Sequence, residues 1–320
     1  MSGASRALRP APVQRLHIDT DPGLDDLLAL ALALASPEAR VCSLTTVAGN
    51  APIDAVTENA QRFLALAGVS LPIGRGAGAP LALAPVDAEA YHGPDGRRGI
   101  PIPAIDRRPL PTAEEVLREA LETQRVDTVV ALGPLTNLAR LIERERGLLD
   151  GVSIIWMGGA LEAGNVTAVA EFNCYADPTA AQAVLGSGLP VRVIGLEVTR
   201  CVRITAATLP ERPFGASPMG RLLDAVLRAM MDAEEPLAGE RGATLHDPCA
   251  VLAALPKDLF RYEEKRLRVV AEEGHERGRM LEHQDDDGTP AVRYAVEVNT
   301  PEVLRLFHER TAAFAGVEPS

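Results

Sequence analysis

The first constraints on this 320-residue sequence come from what is missing. Its four cysteines, Cys42, Cys174, Cys201 and Cys249, show no C-x-x-C spacing. Neither a zinc ribbon nor a disulfide framework is signalled, and buried free thiols in a reducing compartment are expected. There is no excess of basic charge: 44 acidic against 32 basic residues leave a net charge of -12, which would repel a phosphate backbone and argues against a nucleic-acid partner. There is no long apolar run either. The longest, Leu27–Ala35, is far too short to span a bilayer. Met1–Gln14 has arginines and prolines but no apolar signal-peptide core, so residues 1–14 read as a flexible tail ahead of a single domain over 15–316. A soluble, cytoplasmic protein with no membrane partner is expected.

No G-x-x-x-x-G-K-[ST], H-E-x-x-H or G-x-S-x-G occurs, which removes the common NTPase, zinc-protease and serine-hydrolase readings. Gly74-Arg75-Gly76-Ala77-Gly78 is followed by Pro80 and no ordered helix signal, so it reads as a glycine loop rather than a dinucleotide turn. Asp285-Asp286-Asp287-Gly288 lacks EF-hand spacing and reads as a solvated turn.

What is present is a 47% hydrophobic chain with mean hydropathy +0.04, enough for a large core. Short apolar segments (Leu16–Asp19, Val41–Val47, Thr128–Leu132, Ser153–Met157, Val191–Ile194) alternate with helix-like ones (Leu27–Ala35, Ala55–Ala67, Thr112–Thr123, Leu135–Glu145, Thr179–Leu185). That alternation predicts an α/β fold, an open, mainly parallel sheet with helices on both faces. From about Thr205 to Thr244 the pattern turns mostly helical, with Met219–Asp232 clearest and a Gly/Glu-rich stretch at Glu234–Ala243, suggesting a small helical cap near the site. Strands at Leu267–Ala271 and Arg293–Val298 and a last helix at Pro301–Ala313 follow. Ligands of such sheets bind beyond the carboxyl ends of the strands, so residues just after each strand matter most.

One such segment, Asp19-Thr20-Asp21-Pro22-Gly23-Leu24-Asp25-Asp26, carries four carboxylates in eight residues. A single aspartate there would be an ordinary helix cap after a Pro-Gly turn. Four are different. Two carboxylates ~4 Å apart repel by about 4 kcal/mol at an effective dielectric near 20, and a helix dipole returns only about 0.3–1 kcal/mol. Either some are protonated or turned away, or a cation sits among them. Oxygen ligands without cysteine or histidine select a hard ion; calcium suits a flexible loop better than magnesium, but the residues alone leave both open.

The segment D-T-D-P-G-x-D-D resembles the signature of the inosine-uridine nucleoside hydrolase family. Further matching segments run in that family's order across roughly Leu16–Ala313. They are Thr45-Thr46-Val47-Ala48-Gly49-Asn50, Leu132-Gly133-Pro134-Leu135-Thr136-Asn137, Met157-Gly158-Gly159, Gly164-Asn165, Ala170-Glu171-Phe172-Asn173 and His246-Asp247-Pro248. The resemblance implies a Rossmann-like nucleoside hydrolase fold and a calcium (Ca2+) cofactor held by Asp21, Asp26, the Leu132 carbonyl and Asp247. It further implies a ribonucleoside substrate whose 2'- and 3'-hydroxyls complete the calcium shell, with Asp25 accepting from a hydroxyl, so that 2'-deoxyribosides react poorly. Asn50, Asn165, Glu171 and Asn173 would hold the sugar, Met157 would line its apolar side and Phe172 would form an apolar wall.

On the same resemblance Asp21 is the general base and His246 either protonates the departing base or packs on it; His92 matches a loop histidine that contacts the base. Relatives are commonly dimers or tetramers, so a homodimer or homotetramer is expected. One departure stands out: Asp232–Leu245 contains no aromatic residue, where relatives often place one against the base. Base preference is therefore unassigned. Two rival readings stay open. Asp19-x-Asp21 also resembles the nucleophile motif of haloacid-dehalogenase-type phosphatases, although Pro22-Gly23 follows it and Asp25-Asp26 has no place there; and a non-catalytic nucleoside or calcium binder could share the fold.

Overall fold

The computed structural model describes residues 13–106, 108–123, 125–205, 209, 214–283 and 288–317. The expected tail over residues 1–12 and the Asp285–Asp287 turn lie outside them, while Gln14 already opens the first strand. Among the described residues eleven strands are formed: β1 (Gln14–Thr20), β2 (Ala39–Thr46), β3 (Ile73–Arg75), β4 (Thr128–Ala131), β5 (Ser153–Met157), β6 (Val191–Ile194), β7 (Arg203–Thr205), β8 (Gly242–Thr244), β9 (Phe260–Val269), β10 (Met280–His283) and β11 (Ala291–Val298). The α-helices are α1 (Leu24–Ala35), α2 (Ile53–Leu66), α3 (Glu89–His92), α4 (Ala113–Glu122), α5 (Thr136–Glu145), α6 (Phe172–Ala176), α7 (Pro178–Leu185), α8 (Leu196–Thr199), α9 (Pro218–Ala238), α10 (His246–Ala253) and α11 (Thr300–Phe314).

Nine strands form one sheet in the order β10-β9-β11-β6-β5-β4-β1-β2-β3. Pairing is parallel from β3 across to β11, and antiparallel only for β9 and β10 at one edge. The expected α/β architecture is thus observed. The topology also locates the site. From β1 the chain runs outward through β2 and β3, then returns to place β4 on the other side of β1. Helices leaving β1 and β4 therefore diverge, and the carboxyl ends of these two strands border the crevice where open sheets bind ligands.

Helix α1 follows β1 and is buried on nearly every side, from Leu24 to Ala33, as its LLALALALA run requires. It starts three residues earlier than the apolar pattern indicated. Asp25 and Asp26 lie in its first turn, where the dipole favours negative charge, and Asp26 Oδ2 accepts from the Gly23 amide at 2.9 Å. Helix α9 begins at the Ser217 cap, whose Oγ accepts from Gly220 N, and ends at Gly239 in the left-handed region. It runs through Pro236 instead of stopping near Asp232. Its Leu222, Leu223, Val226, Leu227, Met230 and Met231 join the same core as α1, so the region read as a cap is continuous with the main body, and the two-stranded β7-β8 ribbon lies beside it.

Two further readings change. The glycine loop contributes strand β3, where a side chain on Gly74 would come within 2.8 Å of Thr112 O. Only Cys174 and Cys249 are buried thiols; Cys42 is half-buried and Cys201 exposed. Among the described residues no helix is long and apolar enough to cross a membrane. Because α1 forms the centre of the larger core, Leu28→Ala should lower unfolding free energy by about 2–5 kcal/mol with an unchanged denaturant slope, measured by urea titration.

Candidate active site

Beyond β1 the chain turns at Pro22-Gly23 into α1, and this short connection brings Asp25 and Asp26 against Asp247 of α10. Asp25, Asp26 and Asp247 are buried, and one oxygen from each lies within 4.8 Å of the others. Asp26 is the anchored member. Its Oδ1 accepts from Thr20 Oγ1 at 2.5 Å and Asp21 N at 3.3 Å, its Oδ2 from Gly23 N and Asn50 Nδ2 at 2.9 Å each. Asp21, fully buried, accepts from Asn50 N through Oδ2 at 2.8 Å, while its Oδ1 has no hydrogen-bond partner. Two glycines make room for it: a Cβ on Gly49 would lie 2.1 Å from Asp21 Oδ2, and one on Gly133 2.6 Å from Oδ1.

Electrostatically the cluster is under stress. Burial, then the charge of Asp26, pushes Asp25 up to about 8 and Asp21 well above the usual carboxylate range. Asp247 rises for the same first reason and then from Asp25, Asp26 and Asp21 together. Burial also raises Asp26, against the donors from Thr20, Gly23 and Asp21 that favour its ionised form. The Leu132 carbonyl, just past β4, accepts from Asn173 Nδ2 at 2.7 Å. Three converging carboxylates, with the unpartnered buried Oδ1 of Asp21 on a group that feels the charge of Asp26 and Asp25, form an all-oxygen set that fits a hard divalent cation.

Around this nest the other expected residues gather with definite orientations. Asn50 turns its Nδ2 inward, to Asp21 O and Asp26. Asn173 donates from Nδ2 to Leu132 O and to Met157 O at 3.0 Å, with the Met157 sulfur 3.8 Å away. Glu171 is wholly engaged as the cap of α6: Oε1 accepts from Asn173 N, and Oε2 from Gly159 N and Cys174 N. Asn165 is exposed and accepts from Phe172 N at 2.9 Å. Each asparagine is thus held through one end of its amide, with the other end left for a ligand.

The two histidines stand nearby. His92 accepts from Leu24 N through Nδ1 at 3.0 Å, so the ring proton is on Nε2, and burial holds it neutral down to about pH 3. The Gly23 backbone packs against this ring, since a Cβ there would come within 2.5 Å of His92 Nδ1. His246 has Nδ1 2.9 Å from Thr199 Oγ1, and burial, helped by the charge of Arg200, lowers it to about 4.

Sequence reasoning missed several supports. Asp19 Oδ1 accepts from Thr45 Oγ1 and Asn137 Nδ2; both partners lay in the quoted motifs, with no signal of whom they would bond. Tyr91 donates to Glu234 Oε1 at 2.9 Å, and Glu234 also accepts from Thr244 N and Oγ1. An aromatic residue from the distant short helix α3 therefore reaches the segment that has none of its own.

Among hydrolases that work at the carboxyl edge of such a sheet, those that cut nucleosides are the class this fold and site define. The chain belongs to the inosine-uridine preferring nucleoside hydrolase family, whose model matches residues 16–305. It is 35% identical over 304 residues to the pyrimidine-specific ribonucleoside hydrolase RihA of Photobacterium profundum, covering 93% of this chain and 98% of that one. It is 34% identical over 306 residues to the non-specific ribonucleoside hydrolase RihC of Shigella dysenteriae, covering 91% and 98%. Its fold superposes on the plant nucleoside hydrolase PpNRh1 with a TM-score of 0.88 at 33% identity, covering 94% of this chain and all of that one. The purine-preferring ribonucleoside hydrolase from Gardnerella vaginalis gives 0.87 at 29% identity, covering 94% and 98%.

Two outcomes follow. The raised carboxyls keep their protons to higher pH in the folded chain than in the unfolded one. Cation-free stability from this cluster therefore falls as pH rises from the ordinary aspartate value of 3.8 towards the raised ones, about 8 for Asp25. A bound divalent cation displaces those protons, so its gain in melting temperature should be larger at about pH 8 than at about pH 5, read by calorimetry with metal against chelator. Second, Gly49→Ala must displace Asp21 and should cut turnover by about 100-fold or more, measured as ribose release.

Proposed function

We propose that this enzyme hydrolyses the N-glycosidic bond of ribonucleosides to free base and ribose, with calcium held by Asp21, Asp26, Asp247 and the Leu132 carbonyl. The observation that carries this reading is the buried, unpartnered Oδ1 of Asp21 beside the converging carboxylates of Asp25, Asp26 and Asp247. When bound, the ion would supply charge compensation, a seat for the ribose hydroxyls and a more acidic water.

The chain's own residues supply the rest. Asp21 takes the proton of the attacking water at Oδ1, and the Asn50 amide on Oδ2 keeps the carboxylate oriented. Asp25 accepts from a ribose hydroxyl, while Asn50, Asn165 and Asn173 offer the free ends of their amides to the sugar. Met157 and Phe172 close its apolar side, and Glu171 holds α6 so that Asn173 stays in place. As the bond to the base stretches, positive charge grows on the ribose ring, and fixed carboxylates in a buried nest favour that charge more than bulk water does. His246 and His92 face the base as neutral imidazoles at physiological pH, His246 donating toward the leaving group. Asp19, buried, accepts from Thr45 and Asn137 through Oδ1 alone, so what disfavours the phosphatase reading is the Pro22-Gly23 turn after Asp21 and the Asp25-Asp26 pair converging on Asp247, for which that reading has no place.

The named specificities of the relatives support testing both pyrimidine and purine ribosides. The same reading takes the enzyme to be a cytoplasmic homodimer or homotetramer. Reducing sugar should be released from at least one of uridine, cytidine, inosine and adenosine, be abolished by chelation and restored by calcium, and be far slower from the matching 2'-deoxyriboside. Asp21→Asn should lower kcat by about 10²–10⁴ with the circular dichroism spectrum unchanged. Undiminished turnover in chelator would overturn the metal assignment, and a silent panel the function.

A further inference from the structure

We propose that the short helix α8 and its C-cap Arg200 form the positioning element for both halves of the site, Thr199 orienting His246 toward the base and Glu197 with Arg200 clamping the loop that presents Asn165 to the sugar. This rests on the hydrolase reading above. Helix α8 follows β6 directly, so its residues emerge at the carboxyl edge of the sheet.

Glu197 is fixed from beneath and reaches outward. Its Oε2 accepts from the hydroxyl of Tyr294, a buried side chain of β11, and its Oε1 accepts from the amides of Leu161 at 2.8 Å and Glu162 at 3.1 Å. Gly195 permits this approach, because a Cβ there would lie 2.0 Å from the Tyr294 hydroxyl oxygen. Arg200 takes the next two residues: Nη1 donates to Ala163 O at 2.7 Å and Nη2 to Gly164 O at 2.5 Å. Two amides to a carboxylate and two carbonyls to a guanidinium secure four consecutive residues, all through charge-assisted bonds, which are about twice as strong as neutral ones. The next residue is Asn165, whose amide nitrogen donates to Ala170 O at 3.0 Å and whose Oδ1 holds Phe172.

Between these two clamp residues lies Thr199, completely buried, with Oγ1 2.9 Å from His246 Nδ1. That contact occupies Nδ1 and presents Nε2 to the substrate. With the threonine hydroxyl donating, the ring proton sits on Nε2, the tautomer able to donate to a departing base.

The two roles separate by substrate. A 4-nitrophenyl β-D-ribofuranoside carries the same sugar as a ribonucleoside, but its leaving group departs as a stable anion and needs no proton. Thr199→Val should lower kcat on the best natural riboside by about 10- to 100-fold while changing turnover of the nitrophenyl riboside about twofold at most, and Thr199→Ser should restore most of the loss. Glu197→Ala and Arg200→Ala should raise KM about tenfold on both substrates, with kcat less affected. Arg200 is exposed, so its variant keeps the test open where Glu197→Ala fails to fold. Equal slowing of both substrates by Thr199→Val, or no recovery with serine, overturns the first role. A lowered melting temperature with unchanged KM overturns the second. Wild-type enzyme inactive on both substrates would instead overturn the hydrolase reading itself.

Discussion

The structure turns on the burial of four carboxylates, those of Asp21, Asp25, Asp26 and Asp247, at the carboxyl end of β1. Ionised together they would repel by about 4 kcal/mol per pair at ~4 Å, more than any helix dipole returns, and burial penalises each charge first, so the fold must hold them together against that cost. It does so with rigid parts. Asp25 and Asp26 start a helix buried on nearly every side, Asp247 lies in the first turn of α10, and α1 packs against α10 in one core. A loose surface loop would let the carboxylates separate; two packed helix starts cannot. The stability of the core is thereby spent on keeping these carboxylates together.

Much of this was legible in the sequence because the informative contacts are local. Asp19–Asp26 is one strand end, one turn and one helix start, and each strand of the central sheet from β4 to β6 begins and ends within a residue or so of its apolar run. What escaped notice depends on contacts remote in sequence. Strand β3 is three residues long and glycine-bearing, so no periodicity could mark it; it exists because β2 offers a paired edge. Helix α9 continues through Pro236 to Ala238, although a proline past the first turn loses a backbone bond and crowds the preceding turn, and composition cannot distinguish it from a stop. The polar contacts of the site show the same division. Asp21, Asn50 and Asp26 could be grouped by motif, whereas Thr199 with His246, or Tyr91 with Glu234, are 47 and 143 residues apart.

Beneath the carboxylates lies a buried polar layer that explains how β1 finds its register. His17 bonds Ser43 through Nδ1 and Thr45 through Nε2, each at 2.8 Å, and Thr45 donates onward to Asp19 at 2.5 Å. Burial keeps His17 neutral down to about pH 3, so it serves as a hydrogen-bonding spacer and not as a charge. The pairing works only because the β1-β2 register shifts between Leu16 and His17: Leu16 faces Val41, but His17 faces Ser43, with Cys42 passed over. Without that bulge His17 would meet Cys42 and Asp19 would meet Leu44, leaving two buried polar groups without these partners at a cost of about 1–3 kcal/mol each. A one-residue slip would also displace Asp21 from the Asn50 amide that follows β2. The polar layer thus specifies the alignment on which the site depends, and the cysteine at the bulge, with no polar role in that layer, is free to be half-exposed.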